Sequence, residues 1–333
     1  MVQFCHCGKQ KLTADVLRKE MLVSMGKEYR IYQIDSFTKE RLSGNPAGVV
    51  TNAEGLTEPL MRKIARELNN SETAFIFPAS DDTHDVHVRF FTPLKEVPIC
   101  GHATIAAHYA RAMENGLKTG RVLQKTGVGI LPVDILRTGD DYKIIMTQGE
   151  ISIGGPLDQR YRKRLLEALR ITEQDVRDDC PVAIVSTGHS KVMVGINDLE
   201  LLHGLRPNLT ELSDLSGLIG CSGYYVFTLH PGETPLVHGR MFAPAIGINE
   251  DPVTGNANGP LGAYLVHFGW ADAKGDEFSF EAVQGEAIGR TGRMQVQVKV
   301  ANGEPSEVRI IGDAVIAFFA KMELDTVITA QGT

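Results

Sequence analysis

Short apolar segments separated by turn residues run through residues 29–148 and predict a strand-rich first part of the chain. The predicted strands cover residues 29–37, 49–52, 73–78, 85–92, 120–126, 129–137 and 142–148. Two helices interrupt them. Residues 57–68 are apolar on one face only, whereas residues 103–115 have no charged side chain before Arg111, which is typical of a buried helix.

The second part of the chain repeats the first. Residues 87–93 reappear as residues 238–244, 151 positions later, and residues 72–77 align with residues 222–227 at an offset of 150. A repeat this long indicates two copies of one domain, since a solenoid has a much shorter period. The predicted division is a leader over 1–28, an N-terminal half over 29–149 and a C-terminal half over 150–333, with a linker near 149–156.

The C-terminal half contains the same series of elements, including a second nearly uncharged helix over 256–268. Its other predicted elements are helices at 158–170 and within 198–217, and strands at 181–186, 190–196, 222–229, 237–244, 277–285, 293–300 and 306–319. Many strands around one buried helix predict a mixed α/β fold in which each half rolls a sheet around its helix. The natural site is the cleft between the halves, where the helix starts at Gly101 and Gly255 converge.

Composition narrows the range of functions. A length of 333 residues, 43% hydrophobic and 23% charged, suits a two-domain globular protein. The net charge of −7 argues against nucleic acid as a partner, and the short apolar runs against a membrane span. The first 28 residues lack the apolar segment of a secretory signal, and an odd count of five cysteines indicates a reducing cytoplasm.

The leader lies outside the repeat. Cys5, His6 and Cys7 lack the second ligand pair of a closed zinc site, so they are interpreted as part of a loose leader. Residues 12–22 have the spacing of an amphipathic helix.

The differences between the two copies are the best candidates for function. Glu72 is one, because the alignment places the neutral Ser222 opposite it. A carboxylate in a cleft of low dielectric suits a general acid/base, although a surface Glu in a loop is the alternative. His102 is either a helix cap or a hydrogen-bonding group of the site. Asp251 is either the cap of the second buried helix or a second carboxylate facing Glu72.

Several familiar motifs are absent from the sequence. No Gly-x-Gly-x-x-Gly follows a strand, and no Walker A loop, His-Glu-x-x-His or Gly-x-Ser-x-Gly is present. The predicted chemistry therefore requires no nucleotide, no metal and no serine nucleophile. Of the reaction classes considered, proton transfer at an acidic C–H group is the one that these absences leave.

The chain closely resembles the PhzF family of phenazine biosynthesis, which has a diaminopimelate-epimerase-like fold. The matching segments are DSF at 35–37, GNPAG at 44–48, AREL at 65–68, SETAF at 71–75, FTP at 91–93, PICGHAT at 98–104, TGHSK at 187–191 and EDPVTGNA at 250–257. The resemblance spans about residues 29–320. It implies two pseudo-symmetric halves, a site between them and a homodimer.

The resemblance also implies roles for individual residues. Glu72 matches the catalytic glutamate, while His102 and Asp251 match supporting acid/base positions. The implied substrate-binding residues are Asn45, Ser71, Gly101, Gly255 and Asn256, with Asn256 standing where the phenazine enzyme has a serine. The related epimerases use two opposed cysteines, but here only Cys100 matches, because Thr254 occupies the second position.

The resulting hypothesis is a cofactor-independent isomerase of a small metabolite that bears a carboxylate. Glu72 would remove and return the proton, and the two helix starts would bind the anion. An amino-acid epimerase or racemase on the same fold is one alternative. A non-catalytic protein that binds a small molecule in the same cleft is the other.

Overall fold

The computed structural model describes residues 26–271 and 276–324, which form six α-helices and 18 β-strands. The strands are β1 (Lys27–Ser36), β2 (Asn45–Val50), β3 (Thr73–Pro78), β4 (Val86–Phe91), β5 (Glu96–Val97), β6 (Gly120–Thr126), β7 (Gly129–Thr138), β8 (Asp141–Thr147), β9 (Ser152–Pro156), β10 (Ala183–Ser186), β11 (Lys191–Gly195), β12 (Tyr224–Leu229), β13 (Val237–Ala243), β14 (Ile248–Asp251), β15 (Glu277–Gln284), β16 (Gly292–Ala301), β17 (Glu304–Gly312) and β18 (Ala314–Leu324). The helices are α1 (Glu58–Leu68), α2 (Gly101–Asn115), α3 (Gln159–Leu169), α4 (Leu199–Gly204), α5 (Leu209–Ile219) and α6 (Gly255–His267). The Cys5–Cys7 segment and the predicted helix at 12–22 lie outside the described residues.

The N-terminal half wraps its strands around α2. Strand β2 runs antiparallel to β1, β3 parallel to β2, and β4 antiparallel to β3. Helix α2 packs against β1, β2, β3 and β8, as the absence of charged side chains before Arg111 predicts. Small side chains permit this enclosure, because the alanines of α2 are buried completely at Ala103, Ala106, Ala107 and Ala110.

The C-terminal half repeats this arrangement around α6. Strand β12 runs parallel to β11, β13 antiparallel to β12, and β15 parallel to β13. Helix α6 packs against β10, β16 and β17. A Cβ atom on Gly262 would lie 2.8 Å from side-chain atoms of both Val296 and Val298, so this helix approaches the sheet as closely as glycine allows. The structure confirms the predicted mixed α/β fold, with a sheet rolled around a buried helix in each half.

Two local predictions are wrong. The expected linker at 149–156 contains β9, which pairs with β10. The expected single strand over 306–319 is two strands that separate at Asp313: β17 pairs with β8, and β18 then crosses to pair with β1. The last strands thus join the two halves into one continuous sheet, while the division at residue 149 stays a prediction. None of the described helices is long and apolar enough to cross a membrane.

Candidate active site

A cavity of about 840 Å³ lies between the two halves. Its wall includes the first residue of each buried helix, Gly101 of α2 and Gly255 of α6. The N-cap residues Cys100 and Thr254 make no side-chain capping hydrogen bond to these helices. The first-turn N–H groups thus present two positive helix ends to one cavity, an arrangement that favours an anion.

Glu72 and His102 meet on the N-terminal side of this cavity. Glu72 immediately precedes β3, its side chain is only 14% exposed, and its Oε2 lies 3.5 Å from Nε2 of His102. The hydroxyl of Ser71 lies 3.3 Å from the same Nε2. On the other side of the ring, Nδ1 of His102 lies 3.4 Å from Sγ of Cys100. One imidazole therefore links the carboxylate to the thiol, and Glu72 is not a surface residue.

Asp251 lies at the end of β14, on the opposite side of the cavity. The helix cap is Thr254, so the interpretation of Asp251 as an N-cap is wrong; Asp251 instead accepts a hydrogen bond from the Thr254 hydroxyl. Burial raises the pKa of Asp251, as does nearby Glu72, while His102 and the hydrogen bonds oppose this rise. A raised pKa favours the protonated carboxyl group, which can donate a proton in the cavity.

Asn45 connects the two halves behind Asp251. Its Nδ2 donates to Oδ1 of Asp251 at 2.9 Å and to the carbonyl of Val253 at 2.8 Å. Asn45 is buried and is not part of the cavity wall, unlike Ser71, Gly101, Gly255 and Asn256. The structure therefore places Asn45 as a support for Asp251.

A buried polar network that sequence reasoning missed holds the start of α6. The amide of Gln284 donates to the Asp251 carbonyl at 2.7 Å, and its Oε1 accepts from the Thr254 backbone at 3.2 Å and from Asn258 at 3.1 Å. The Tyr225 hydroxyl completes the network by donating to Asn258 at 2.6 Å. The sequence contains only a weak signal for this network. It shows that a strand ends near Gln284, but only the fold shows that Gln284 lies beside Asp251.

The structure corrects the residue opposite Glu72. Thr73 pairs with Phe91 in one half, whereas Tyr224 pairs with Phe242 in the other. Since Phe91 and Phe242 correspond in the repeat, Thr73 corresponds to Tyr224. The counterpart of Glu72 is therefore Gly223 and not Ser222, because a register slip of one residue turns every side chain to the other face.

Lys191 is a cavity residue that sequence reasoning did not single out. It lines the cavity from the first position of β11 and is only 3% exposed. Burial lowers the pKa of Lys191 to about 8, although Cys221 and Asp251 favour its charged form. The only sequence signal was its place at the end of the TGHSK segment.

Two clusters within the described residues have the side chains that metals prefer. They are Glu72, Cys100 and His102 in the cavity, and His203, His238 and Glu286 elsewhere in the C-terminal half. In the first, burial and the Glu72 charge raise the pKa of the Cys100 thiol well above its usual range. In the second, the Glu286 carboxylate already contacts both imidazoles, at 3.2 and 2.8 Å.

Relatives with similar sequences cover nearly the whole fold. An uncharacterized isomerase of Clostridium acetobutylicum is 60% identical over 302 residues, which is 90% of this chain and 100% of that protein. The uncharacterized isomerase YddE of Escherichia coli is 44% identical and covers 89% of this chain and 99% of its own length. The trans-2,3-dihydro-3-hydroxyanthranilate isomerase of Pseudomonas aeruginosa is 30% identical, with coverage of 86% and 96%.

Solved structures with a similar fold include a member of the same family as these relatives. A PhzF-family phenazine biosynthesis protein of Bacillus anthracis has a TM-score of 0.79 at 29% identity and covers 90% of this chain and 100% of that one. A hydroxyproline epimerase from Agrobacterium vitis, at a TM-score of 0.59 and 14% identity over 92% of this chain and 94% of that one, has a similar fold. Residues 34–320 match the family described as "Phenazine biosynthesis-like protein". The chain therefore belongs to the PhzF family of phenazine biosynthesis-like proteins and is an isomerase of that family.

Proposed function

We propose that this isomerase moves a proton within a small carboxylate-bearing metabolite without a cofactor, and that Glu72 carries the proton. The observation that supports this most strongly is the place of Glu72, a largely buried carboxylate in the inter-domain cavity and 3.5 Å from His102. A carboxylate of this kind can remove a proton from a carbon atom and return it to another, which is a complete isomerisation.

The surrounding groups have separate roles in this proposal. Glu72 takes the proton from the acidic C–H group, leaving the electron pair delocalised towards the substrate carboxylate or an adjacent double bond. His102 and Ser71 orient the Glu72 carboxyl group through the imidazole Nε2, and Asp251 in its protonated form donates a hydrogen bond to the substrate from the other side of the cavity. The uncapped starts of α2 and α6 stabilise the negative charge, as preorganised N–H donors do. Glu72 then protonates a different carbon, so the enzyme returns to its initial state.

The P. aeruginosa relative is named for trans-2,3-dihydro-3-hydroxyanthranilate, a cyclic carboxylate, which makes this compound the first one to test. The panel should also contain unsaturated and hydroxylated carboxylates, because the resemblance implies that Asn256 stands where the phenazine enzyme has a serine.

The test is deuterium uptake from D₂O into the substrate panel, followed by mass spectrometry. Glu72→Gln should lower the exchange rate by about 10³-fold, since it preserves the side-chain shape but removes the base. Glu67→Gln, an exposed carboxylate on α1, is the matched control and should exchange like the wild type. Undiminished exchange in Glu72→Gln would remove Glu72 from the mechanism. Tight binding without exchange for every compound would favour the non-catalytic alternative.

The assembly and compartment are further parts of the proposal. We propose a homodimer that buries the outer edge of β18. Among the described residues this strand pairs only with β1, so its other edge is open. Phe318 and Phe319 on β18 are 52% and 45% exposed. Light scattering should give twice the chain mass, and Phe318→Ser should reduce it. We also propose a cytoplasmic location, to which the free Cys100, Cys180 and Cys221 are suited.

A further inference from the structure

Lys191 is a buried cation whose hydrogen-bonding capacity is largely unused. Its Nζ donates to the Ser190 carbonyl at 3.3 Å, the one hydrogen bond of this ammonium group within the described residues. It forms no ion pair in that part of the chain, although an ammonium group has three donors. A buried charge without a partner is costly, and buried lysines are normally paired. The cavity that Lys191 lines is therefore where its missing partner belongs.

The repeat shows how unusual this position is. Gly48 pairs with Thr73 in the N-terminal half, and Val192 pairs with Tyr224 in the C-terminal half. Because Thr73 corresponds to Tyr224, Gly48 corresponds to Val192, and Lys191 corresponds to the small apolar Ala47. The two halves thus differ at two corresponding positions of these neighbouring strands. One is Ala47 against Lys191, and the other is Glu72 against Gly223.

Each half has one charged residue at these two positions, and the two charges are opposite. The N-terminal half combines Ala47 with the carboxylate of Glu72, whereas the C-terminal half combines Lys191 with Gly223. A Cβ atom built on Gly223 would lie 3.3 Å from Cδ of Lys191. The lysine side chain therefore passes beside the position that Glu72 occupies in the other half. The cavity has a carboxylate on one side and an ammonium group at the pseudo-symmetric place on the other.

We propose that Lys191 forms an anion subsite and binds the acidic group of the substrate on the C-terminal side of the cavity. This inference rests on the proposed function, because it assigns an orientation to the same substrate. The substrate carboxylate lies between Lys191 and the start of α6, and the reacting C–H group points towards Glu72. Neutral analogues of the substrate are rejected, since they leave the ammonium group buried and unpaired.

The test compares a carboxylate with its uncharged amide. Calorimetric titrations use anthranilate, malonate and succinate as anionic probes and anthranilamide as the neutral one. The proteins are the wild type, Lys191→Met, Lys191→Arg and the exposed control Lys63→Met. Lys191→Met should weaken the binding of a carboxylate probe by about tenfold or more and leave anthranilamide within about twofold. Lys191→Arg should retain part of the affinity, and Lys63→Met all of it.

Three results would overturn the proposal. The first is that no carboxylate probe binds the wild type more tightly than it binds Lys191→Met. The second is that Lys191→Met loses equal affinity for anthranilate and anthranilamide. The third is that Lys191→Arg recovers none of the carboxylate affinity. Glu72→Gln separates this inference from the proposed function. It should keep its carboxylate affinity within about threefold while losing deuterium exchange. If Lys191→Met loses affinity while Glu72→Gln still exchanges protons, the subsite stands and the glutamate mechanism falls.

Discussion

The two halves share a scaffold but surround the starts of their buried helices differently. At the start of α2, His102 contacts the side chains of both Glu72 and Cys100. At the start of α6, Asp251 and Thr254 belong to a network fixed by Gln284. The first arrangement leaves a carboxylate beside one imidazole at the cavity wall, where it can exchange a proton. The second holds a buried carboxylate in a single orientation.

This comparison indicates how a duplicated fold can bind its substrate in one orientation. Two identical halves would give a cavity with the same groups on both sides, which could not distinguish one end of a substrate from the other. The pairs Ala47–Glu72 and Lys191–Gly223 break that symmetry. The repeat provides the two helix ends, and the substitutions between copies decide which end of the substrate lies on which side.

Asp251→Asn should have the largest effect on the C-terminal side. Asparagine can keep the hydrogen bond from Asn45 but has no acidic proton to share with the substrate, so kcat/KM should fall by about 10²-fold. Because burial raises the pKa of Asp251, the wild type should lose activity as the pH rises and this group ionises. That alkaline decline should disappear from the pH profile of the variant. A variant whose profile matches that of the wild type would show that Asp251 only supports the wall.

Lys191→Met should stabilise the fold. Burial lowers the pKa of Lys191 from 10.5 to about 8, which corresponds to a cost of up to about 3 kcal/mol for the charged form. The cost is present below pH 8, where the lysine is protonated in both the folded and unfolded states. It declines from pH 8 to 10.5, because the folded protein loses its proton first.

Denaturant unfolding at pH 7 and at pH 10 measures this difference. The free energy of unfolding of Lys191→Met should exceed that of the wild type at pH 7, and the gap should narrow at pH 10. A less stable variant at pH 7 would mean that the fold already provides an anionic partner for Lys191.

Gly223→Ala should destabilise the protein by about 1–3 kcal/mol. The added Cβ would lie 2.8 Å from the Phe242 carbonyl oxygen and 3.0 Å from Cβ of Ala243, both on β13, whose backbone is fixed by pairing. Gly101→Ala is the matched control, because its Cβ would meet nothing within 4 Å, and it should leave stability nearly unchanged. Equal stabilities of the two variants would contradict the corrected register.

Much of the fold could be predicted because its signals are local. The uncharged stretch before Arg111 is visible in one short segment, and the repeat of residues 87–93 appears when two short segments are compared. The break at Asp313 could not be predicted, since an apolar run does not show that β17 pairs with β8 and β18 with β1. Strand β9 was missed because Gly154 and Gly155 are typical of a turn, and pairing with β10 makes the segment a strand.

The site was only partly predictable for the same reason. Glu72, His102 and Asp251 could be selected because they differ between the copies or resemble a family motif, and the fold brings them to one cavity. Lys191 was missed because a lysine at the start of a strand is usually exposed. The alignment error at Ser222 arose because sequence similarity alone did not fix the register of β12, whereas its pairing with β13 does.

Cys100→Ala should have the smallest effect and decides between the isomerase and the epimerase alternative. A two-base epimerase needs a thiolate, but burial and Glu72 raise the pKa of Cys100 well above its usual range. Thr254 at the matching position of α6 provides no second thiol. Exchange by Cys100→Ala should therefore stay within about threefold of the wild type, since removing a buried thiol changes mainly packing. A loss of about 10³-fold in Cys100→Ala, with exchange retained in Glu72→Gln, would transfer the proton chemistry from the carboxylate to the thiol.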